Sequence, residues 1–131
     1  MYEERIHLRT KGELDVIDIT DDVERIVKRS GIKHGICLVF VPGSTGGIIL
    51  NENETSLMSD FKSTVKRLIK DVGYEHPVNA RSHLRAMLFG CEKVLPIANG
   101  RLETGTWQQL MFVEFDTRAR EREVIVIVIG E

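Results

Sequence analysis

The feature of this sequence that most constrains its fold is an uninterrupted apolar run near the C-terminus, VIVIVI at residues 124–129. All six residues are β-branched, a type that favours extended strands, and a strand of this composition is apolar on both faces. At the exposed edge of a sheet, such a strand would promote aggregation. We therefore expect it to be a central strand or to be covered by another subunit. A strand at 36–41 is likewise expected to be buried on both faces.

Strand patterns occupy both ends of the chain, and helical patterns lie between them. We predict strands at 5–9, 14–19, 36–41, 48–50, 93–97, 106–115 and 123–129, and helices beginning at Thr20 or Asp21, at Ser56 and at Ser82. A βαβ protein would alternate the two types along its length, so this order favours an α+β fold. The length of 131 residues fits one domain, spanning residues 1–131.

Two local details follow from turn and cap signals near the N-terminus. The first two predicted strands flank Lys11 and Gly12, which predicts a β-hairpin turning at that pair. Asp21 and Glu24 have the spacing of a capping box at the start of the first helix, and Gly31 is the expected glycine at its end.

Composition and charge exclude several classes of function. A net charge near −2 and a pI near 6.1 provide no field for a polyanion, and Arg118, Arg120 and Arg122 are interpreted as a solvated hairpin tip, so no nucleic-acid partner is expected. No apolar run approaches the ~20 residues that cross a bilayer, and the N-terminus lacks a signal-peptide pattern. Cys37 and Cys91 stand singly, which is typical of reduced thiols. We expect a cytoplasmic protein without a membrane partner.

The first candidate site is the loop PGSTGG at 42–47, followed by Asn51 and Glu52. Its glycines free the backbone, so N–H groups could converge with the Ser44 and Thr45 hydroxyls into an anion-binding nest. The loop lacks the lysine of a phosphate-binding P-loop and does not lead into a helix, which excludes that motif. The alternative, which spacing alone favours, is a hairpin or bulge with glycines at positive φ.

The second candidate is the pair His76 and His83, with Asn79 between them. Imidazoles are common metal ligands and are the natural acid–base groups near neutral pH. Because the two are seven residues apart across a loop, only the fold could bring them together. A zinc site needs a third protein ligand, for which Glu52, Asp60 or a residue of another subunit is a candidate. The alternative for each is a helix-capping or surface histidine.

The third candidate is GRLETGTWQ at 100–108. Trp107 offers a large flat face and one N–H donor, and Gln108 offers both a donor and an acceptor. A ligand-binding role and a core tryptophan beside a hydrogen-bonded glutamine are equally favoured by these residues.

Together these stretches resemble the YjbQ-like family, small bacterial and archaeal proteins often labelled secondary thiamine-phosphate synthases. The resemblance covers nearly the whole chain. It is carried by PGSTGGIILNENE at 42–54, YEH at 74–76, SHLRAMLFG at 82–90, LPIANGRLETGTWQQLMFVEFD at 95–116 and the ending VIVIVIGE.

The resemblance implies a compact α+β fold, a largely antiparallel sheet or sandwich with two or three helices packed on it. It also implies a homotrimer, with a cleft near the subunit contacts. The implied site residues are Ser44, Thr45, Asn51, Glu52, Asp60, His76, Asn79, Ser82, His83, Arg101, Thr106, Trp107 and Gln108.

One position departs from many members of the family. Gly43 stands where they have histidine, in a PHT or PHS sequence. If that histidine binds metal in its owners, this chain lacks one ligand, and His76 and His83 would hold zinc more weakly.

The activity implied by the family couples a pyrimidine pyrophosphate to a thiazole phosphate and releases pyrophosphate. In this chain Ser44 and Thr45 would hold phosphate oxygens, Trp107 would stack on a heterocycle, and His83 would donate a proton to the leaving group. Glu52 and Asp60 would place Mg²⁺. The sequence lacks a dense cationic or acidic cluster, so we expect weak activity. The alternative is a non-catalytic trimer that binds a small anion, a metabolite or, at His76 and His83, a metal.

Overall fold

A computed structural model describes all residues, 1–131, as eight strands and three helices. The strands are β1 Tyr2–Arg9, β2 Val16–Asp18, β3 Gly35–Phe40, β4 Gly46–Asn51, β5 Glu92–Ala98, β6 Arg101–Leu102, β7 Gln109–Glu114 and β8 Glu121–Gly130. The helices are α1 Thr20–Ser30, α2 Thr55–Leu68 and α3 Ala80–Phe89. The predicted α+β class is confirmed.

The strands form two sheets in which every pairing is antiparallel. One sheet has five strands in the order β1-β8-β3-β5-β6, and the other has three in the order β2-β7-β4. The main hydrophobic core lies between the two sheets and includes the apolar face of α1. A smaller cluster joins the far side of the three-stranded sheet to α2 and α3.

The apolar C-terminal run forms most of β8, which is central, as predicted, because it pairs with both β1 and β3. Its inward residues Val124, Val126 and Val128 are fully buried in the core. On the other side, Ile125 and Ile127 are partly buried and Ile129 is half exposed. The strand is therefore central, and within one chain its side with Ile125, Ile127 and Ile129 is left partly uncovered.

The uncovered side extends across neighbouring strands as a continuous apolar surface, which we call the outer face. Strand pairing places Leu38 beside both Ile127 and Val94. The outer face consists of Ile36, Leu38, Phe40, Val94, Ile125, Ile127 and Ile129. The expectation that 36–41 is buried on both faces is wrong for a single chain, since Ile36 is 46% exposed; only its inward side meets the core.

The predicted N-terminal hairpin is wrong. β1 pairs with β8 in the five-stranded sheet, whereas β2 pairs with β7 in the three-stranded one. Between them Leu14 takes a left-handed φ of 63° and is buried, so the chain crosses from one sheet to the other instead of turning back. Local alternation identified two strands but carried no information on their partners.

The first helix begins and ends close to the predicted residues, but its cap differs. Gly31 is left-handed at φ 71°, as a C-terminal glycine should be. At the N-terminus, the Asp18 carboxylate accepts a hydrogen bond from the Thr20 N–H at 2.9 Å. The Asp21–Glu24 capping box is therefore wrong, because Asp21 already lies inside the helix. None of the three helices combines the length and apolar character needed to cross a membrane.

Candidate functional site

A buried ion pair lies at the end of β7. Glu114 is fully buried, and the Arg122 side chain is 4% exposed. Arg122 donates from Nε to Glu114 Oε1 at 3.0 Å and from Nη2 to Oε2. Glu114 also accepts from the Thr10 hydroxyl at 2.9 Å and from the Asp116 N–H at 3.1 Å. A buried carboxylate is tolerated here because it is paired and fully hydrogen-bonded.

The ion pair continues into a second pair through Thr45. The Thr45 hydroxyl accepts from Arg122 Nη2 at 2.8 Å and lies 3.3 Å from Asp116 Oδ2, to which it donates. Arg120 Nη1 donates to the same carboxylate oxygen at 2.7 Å. Burial alone would raise the pKa of Asp116, but hydrogen bonds from the Thr117 N–H, Arg120 and the Asn79 side chain lower it to about 2.

The interpretation of the arginine-rich segment as a solvated tip is therefore wrong for two of its three members. Arg122 is buried, and Arg120 is only 34% exposed and ion-paired. The physical reason is Glu114, a charge that the sheet carries into the interior and that requires a cationic partner. The usable signal in the sequence was a glutamate inside the apolar run LMFVEF.

An open pocket of about 430 Å³ lies over this network, and we call it the polar pocket. Apart from the ring of Pro42, no apolar side chain lines it. Its lining residues are Pro42, Gly43, Ser44, Thr45, Asn79, His83, Asp116, Arg120, Glu121, Arg122 and Glu123. Of the predicted site residues, the structure thus brings Ser44, Thr45, Asn79 and His83 together.

The loop before β4 differs from both of its sequence-based interpretations in detail. Only Gly43 has a positive φ, 130°. Gly46 and Gly47 lie in β4, where a Cβ would come within 2.9 Å of the Phe112 ring and 2.8 Å of the Phe115 ring, respectively. The N–H groups of residues 43–45 have no acceptor in the chain, so the anion nest stays a prediction with its donors free.

The fold brings the two histidines into contact. The ring centroids of His76 and His83 are 4.9 Å apart, with the rings nearly perpendicular at 76°. His76 Nε2 lies 3.1 Å from Asn79 Oδ1, within hydrogen-bonding distance. No three His, Cys, Asp or Glu side chains are grouped as metal ligands. One chain therefore supplies two imidazoles without the third ligand of a zinc site.

A second pocket of about 550 Å³, the apolar pocket, also borders His83. It is lined by Gly73, Tyr74, Glu75, His76, Ala80, His83, Leu84 and Met87. His83 is the only residue that lines both the polar and the apolar pocket. The imidazole thus stands where a ligand with one polar and one apolar part would place the junction between them.

Other predicted residues lie at the opposite end of the β4–β7 ladder. Gly46 pairs with Glu114 at one end and Asn51 with Gln109 at the other, so the two ends are separated by roughly 17 Å at 3.4 Å per residue. We call them the network end (Thr45, Glu114, Asp116, Arg120, Arg122) and the tryptophan end (Asn51, Thr106, Trp107, Gln108). Trp107 is 70% exposed, and Gln108 Oε1 accepts only from the Gly105 N–H, at 2.8 Å.

The remaining predicted residues join neither group. Arg101 lies in β6, beside Arg25, Lys28 and Lys33. Glu52 is half-buried and Asp60 is exposed on α2; neither lines the polar or the apolar pocket. Ser82 is fully buried on α3, with a hydroxyl that has no partner. Within one chain the site residues therefore fall into separate groups.

Comparison with known proteins places these observations in a family. The family model described as "UPF0047 protein YjbQ-like" matches residues 4–131. A UPF0047 protein from Methanothermobacter thermautotrophicus is 40% identical over 135 residues, which cover 100% of this chain and 94% of that protein. A YbjQ-like protein of unknown function from Sulfolobus solfataricus has a crystal structure that is 41% identical, with a TM-score of 0.96 over 99% of this chain and 97% of that one. A hypothetical protein from Aeropyrum pernix is 36% identical, with a TM-score of 0.94 and complete coverage of both chains.

Proposed function

The chain belongs to the UPF0047 YjbQ-like family, and we propose that it binds a small phosphorylated heterocycle and acts as a weak transferase of the thiamine-phosphate synthase type. The observation that carries this proposal is the position of His83 between the polar and the apolar pocket. A phosphate group suits the first pocket, whose free donors are hydroxyl, guanidinium and backbone N–H groups. A heterocycle suits the second, beside Tyr74, Leu84 and Met87.

In such a transfer, a carbon–nitrogen bond forms between the pyrimidine and thiazole fragments as the carbon–oxygen bond to pyrophosphate breaks. The departing pyrophosphate gains negative charge, which donors in the polar pocket would stabilise. His83 borders this pocket and is the acid that would protonate the leaving oxygen. No step is assigned to a metal, because one chain provides too few ligands around His76 and His83, and Glu52 and Asp60 lie outside the pocket.

We further propose that the working unit is a homotrimer in which copies of the chain cover the outer face. A contiguous apolar surface of this kind marks an interaction site. Its border carries both charge signs, since Arg5 and Glu123 form a 2.9 Å ion pair beside Ile125, so it can face a copy of itself. Neighbouring copies would also bring Trp107 to a pocket that one chain cannot reach. Free thiols at Cys37 and Cys91 favour a cytoplasmic location.

The catalytic proposal is tested by assaying purified protein for thiamine-phosphate formation beside His83→Ala. His7→Ala is the matched control, because His7 is an exposed histidine on β1 outside both pockets. Loss of a general acid should lower the rate by about 10²–10⁴-fold, or to background for an enzyme this weak. Equal rates in the wild-type protein and His83→Ala would remove the catalytic claim.

The alternative is a trimer that captures an anion, a metabolite or a metal without turnover. The near balance of cations and carboxylates around the polar pocket favours it, since an efficient pyrophosphate enzyme would concentrate positive charge. Melting shifts with pyrophosphate, together with elemental analysis of protein purified without chelator, separate the two. A ligand at about 100 times its dissociation constant should stabilise by ~2.7 kcal/mol. A shift without product formation supports this alternative, and stoichiometric zinc lost in His76→Ala supports metal binding.

The trimer is tested by sedimentation of wild-type protein and Ile127→Lys. A lysine in the middle of the outer face would leave a desolvated charge in any interface that covers it, so we expect monomers. Arg25→Gln, an exposed change on α1, is the control and should remain assembled. A monomeric wild-type protein at micromolar concentration would refute the assembly.

A further inference from the structure

One strong hydrogen-bond donor in the polar pocket is unused. Arg122 donates hydrogen bonds from Nε and Nη2 to Glu114 and Thr45, whereas Nη1 makes no hydrogen bond within the chain. The side chain is 4% exposed, and groups so enclosed nearly always have a partner. Nη1 is not among the fully enclosed orphan atoms, which are Ser82 Oγ and Arg85 Nε. It is therefore reached from outside. Arg122 lines the polar pocket and also a smaller one beside β1, and the position of Gly43 next to Nη1 identifies the polar pocket as the route.

Gly43 is the residue that leaves this route open. A Cβ at position 43 would lie 3.3 Å from Arg122 Nη1, and this is the only atom it would approach within 4 Å. The φ of 130° also disfavours any residue with a side chain. Any residue other than glycine would thus place a carbon against the two free N–H groups of Arg122 Nη1.

Further free donors surround the same opening. Arg120 uses only Nη1 within the chain, which leaves Nε and Nη2 available on a side chain that is partly exposed. The Ser44 hydroxyl makes no hydrogen bond, and the N–H groups of residues 43–45 have no acceptor. Donors of these three kinds match the several oxygens of a tetrahedral oxoanion, and the carboxylates that share the lining, Asp116, Glu121 and Glu123, are each paired with an arginine.

The charges around the pocket decide how tightly an anion is held. Arg122 is neutralised by Glu114, and Arg120 is neutralised by Asp116. At the rim, Glu121 and Glu123 are paired with Arg9 and Arg5. The pocket therefore has no net positive field, so binding depends on directed hydrogen bonds. This arrangement favours oxoanions over a spherical anion such as chloride.

We infer that the polar pocket is an oxoanion subsite, in which Arg122 Nη1 is the deepest donor to a phosphoryl oxygen and Gly43 provides access to it. The inference rests on the proposed function and names the atoms that hold its phosphate group. Arg120 and Ser44 complete the subsite from the rim, and Thr45 only orients Arg122 because its hydroxyl is already engaged.

The experiment is calorimetric titration of the full-length protein with inorganic pyrophosphate, using chloride at equal ionic strength as the comparison anion. Gly43→Ala should weaken binding about tenfold, the equivalent of one lost charge-assisted hydrogen bond. Ser44→Ala should weaken it severalfold without changing the melting temperature, since that hydroxyl has no partner in the chain. The matched control is Arg25→Gln combined with Lys28→Gln in the cationic group beside Arg101, which should bind as wild type.

A direct readout does not depend on any variant. The side-chain nitrogen resonances of Arg122 should shift saturably with pyrophosphate and stay unchanged with chloride. This measurement also decides the matter if Gly43→Ala fails to fold. Unmoved Arg122 resonances during saturable binding, or binding lost only in the Arg25/Lys28 variant, would overturn the inference.

The two proposals fail in different ways. If a phosphorylated heterocycle binds and depends on His83 but is indifferent to Gly43→Ala and Ser44→Ala, the oxoanion subsite is wrong and the proposed ligand stands. If pyrophosphate binds through Arg122 and no thiamine phosphate forms, the subsite stands and the transferase proposal falls. Absence of binding by either compound would overturn both.

Discussion

The two ends of the β4–β7 ladder carry similar numbers of polar residues and treat them in opposite ways. At the network end, Glu114 and Arg122 are buried, and both carboxylates, the Thr45 hydroxyl and Arg122 Nε and Nη2 are engaged within the chain. At the tryptophan end, Trp107 is 70% exposed and Gln108 only contacts its own turn. The side-chain hydrogen bonds of the first end join distant segments of the chain. Those of the second end, made by Gln108 and Asn51, reach no further than three residues along the sequence.

This difference shows that the polar residues of a sequence motif can have two different roles. Polar groups of the network end are required for folding, because a buried charge without its partner is strongly destabilising. Polar groups of the tryptophan end are exposed and contribute little to folding. Arg122, which lines the polar pocket, combines both roles: its Nε and Nη2 stabilise the fold, and its Nη1 is free to bind a ligand.

The largest expected effect comes from breaking the network end. Arg122→Ala leaves the Glu114 carboxylate buried without its cation, and we expect a loss of about 3–5 kcal/mol in the free energy of unfolding. Urea denaturation measures it. Arg9→Ala, which removes an exposed pair with Glu121, is the control and should cost about 0–1 kcal/mol. A loss below about 1 kcal/mol for Arg122→Ala would show that the network is not structural.

The sequence predicted the elements of this end but not the ion pair. The two strands that carry it, β7 and β8, were both expected, since their apolar residues mark them clearly. Arg122 lies in RAREREV, where alternating charge is typical of a solvated turn. Only the pairing of distant segments shows that Arg122 points inward beneath the loop at 42–47. Glu114 was the one local signal, because a carboxylate in an apolar run needs a partner.

Acid should weaken the network end next. Asp116 has a pKa of about 2 in the folded protein against an ordinary value of 3.8. The lowered pKa stabilises the fold fully above pH ~4, and this contribution disappears as pH falls from about 4 to 2. The difference is worth about 2 kcal/mol. Asp116→Asn should lack this component, so its free energy of unfolding should fall less steeply than that of the wild type over this interval.

Glu4→Gln is the matched control for Asp116→Asn, because the pKa of Glu4 is also lowered to about 2, mainly by hydrogen bonds from Arg29 and Tyr2. Glu4→Gln should leave the Asp116 component in place, since its carboxylate belongs to a different cluster on β1. Parallel unfolding curves for the wild type and Asp116→Asn across pH 4 to 2 would contradict the assignment.

A pair of glycines tests the same contrast through packing. In Gly46→Ala the new methyl would lie 2.9 Å from the Phe112 ring in the core, and overpacking of this kind costs about 1–3 kcal/mol. In Gly105→Ala at the tryptophan end, the nearest atom is the flexible, exposed Gln108 side chain at 3.3 Å, so the change should stay within about 0.5 kcal/mol. Thermal unfolding of the two variants measures the difference. Equal losses of stability in the two variants would contradict the proposed difference between the network end and the tryptophan end.

The candidate site was predictable only in part, for a related reason. Of the predicted residues, Ser44, Thr45, Asn79 and His83 do share a pocket, because β4 and α3 are adjacent in the fold. Trp107 lies at the far end of the same ladder, and a sequence motif does not show how far apart its residues lie in the folded chain. A list of motifs therefore mixes residues that the fold brings together with residues that it keeps apart.

The smallest expected effect on the chain itself is that of Trp107→Ala. The indole is 70% exposed, so at protein concentrations low enough to favour monomers the free energy of unfolding should change by less than about 0.5 kcal/mol. Chemical denaturation with dilution series checks this. Leu68→Ala, another exposed apolar truncation at 64% on α2, is the control.

The same variant has a second readout that locates the missing contact. If another copy of the chain covers Trp107, its truncation removes an aromatic anchor, and such anchors typically contribute about 2 kcal/mol or more to association, roughly a 30-fold change in the dissociation constant. Leu68→Ala should leave assembly unchanged. A large loss of monomer stability in Trp107→Ala would place the indole in the fold after all, whereas unchanged stability with weakened assembly means that the tryptophan end is completed by a neighbouring chain.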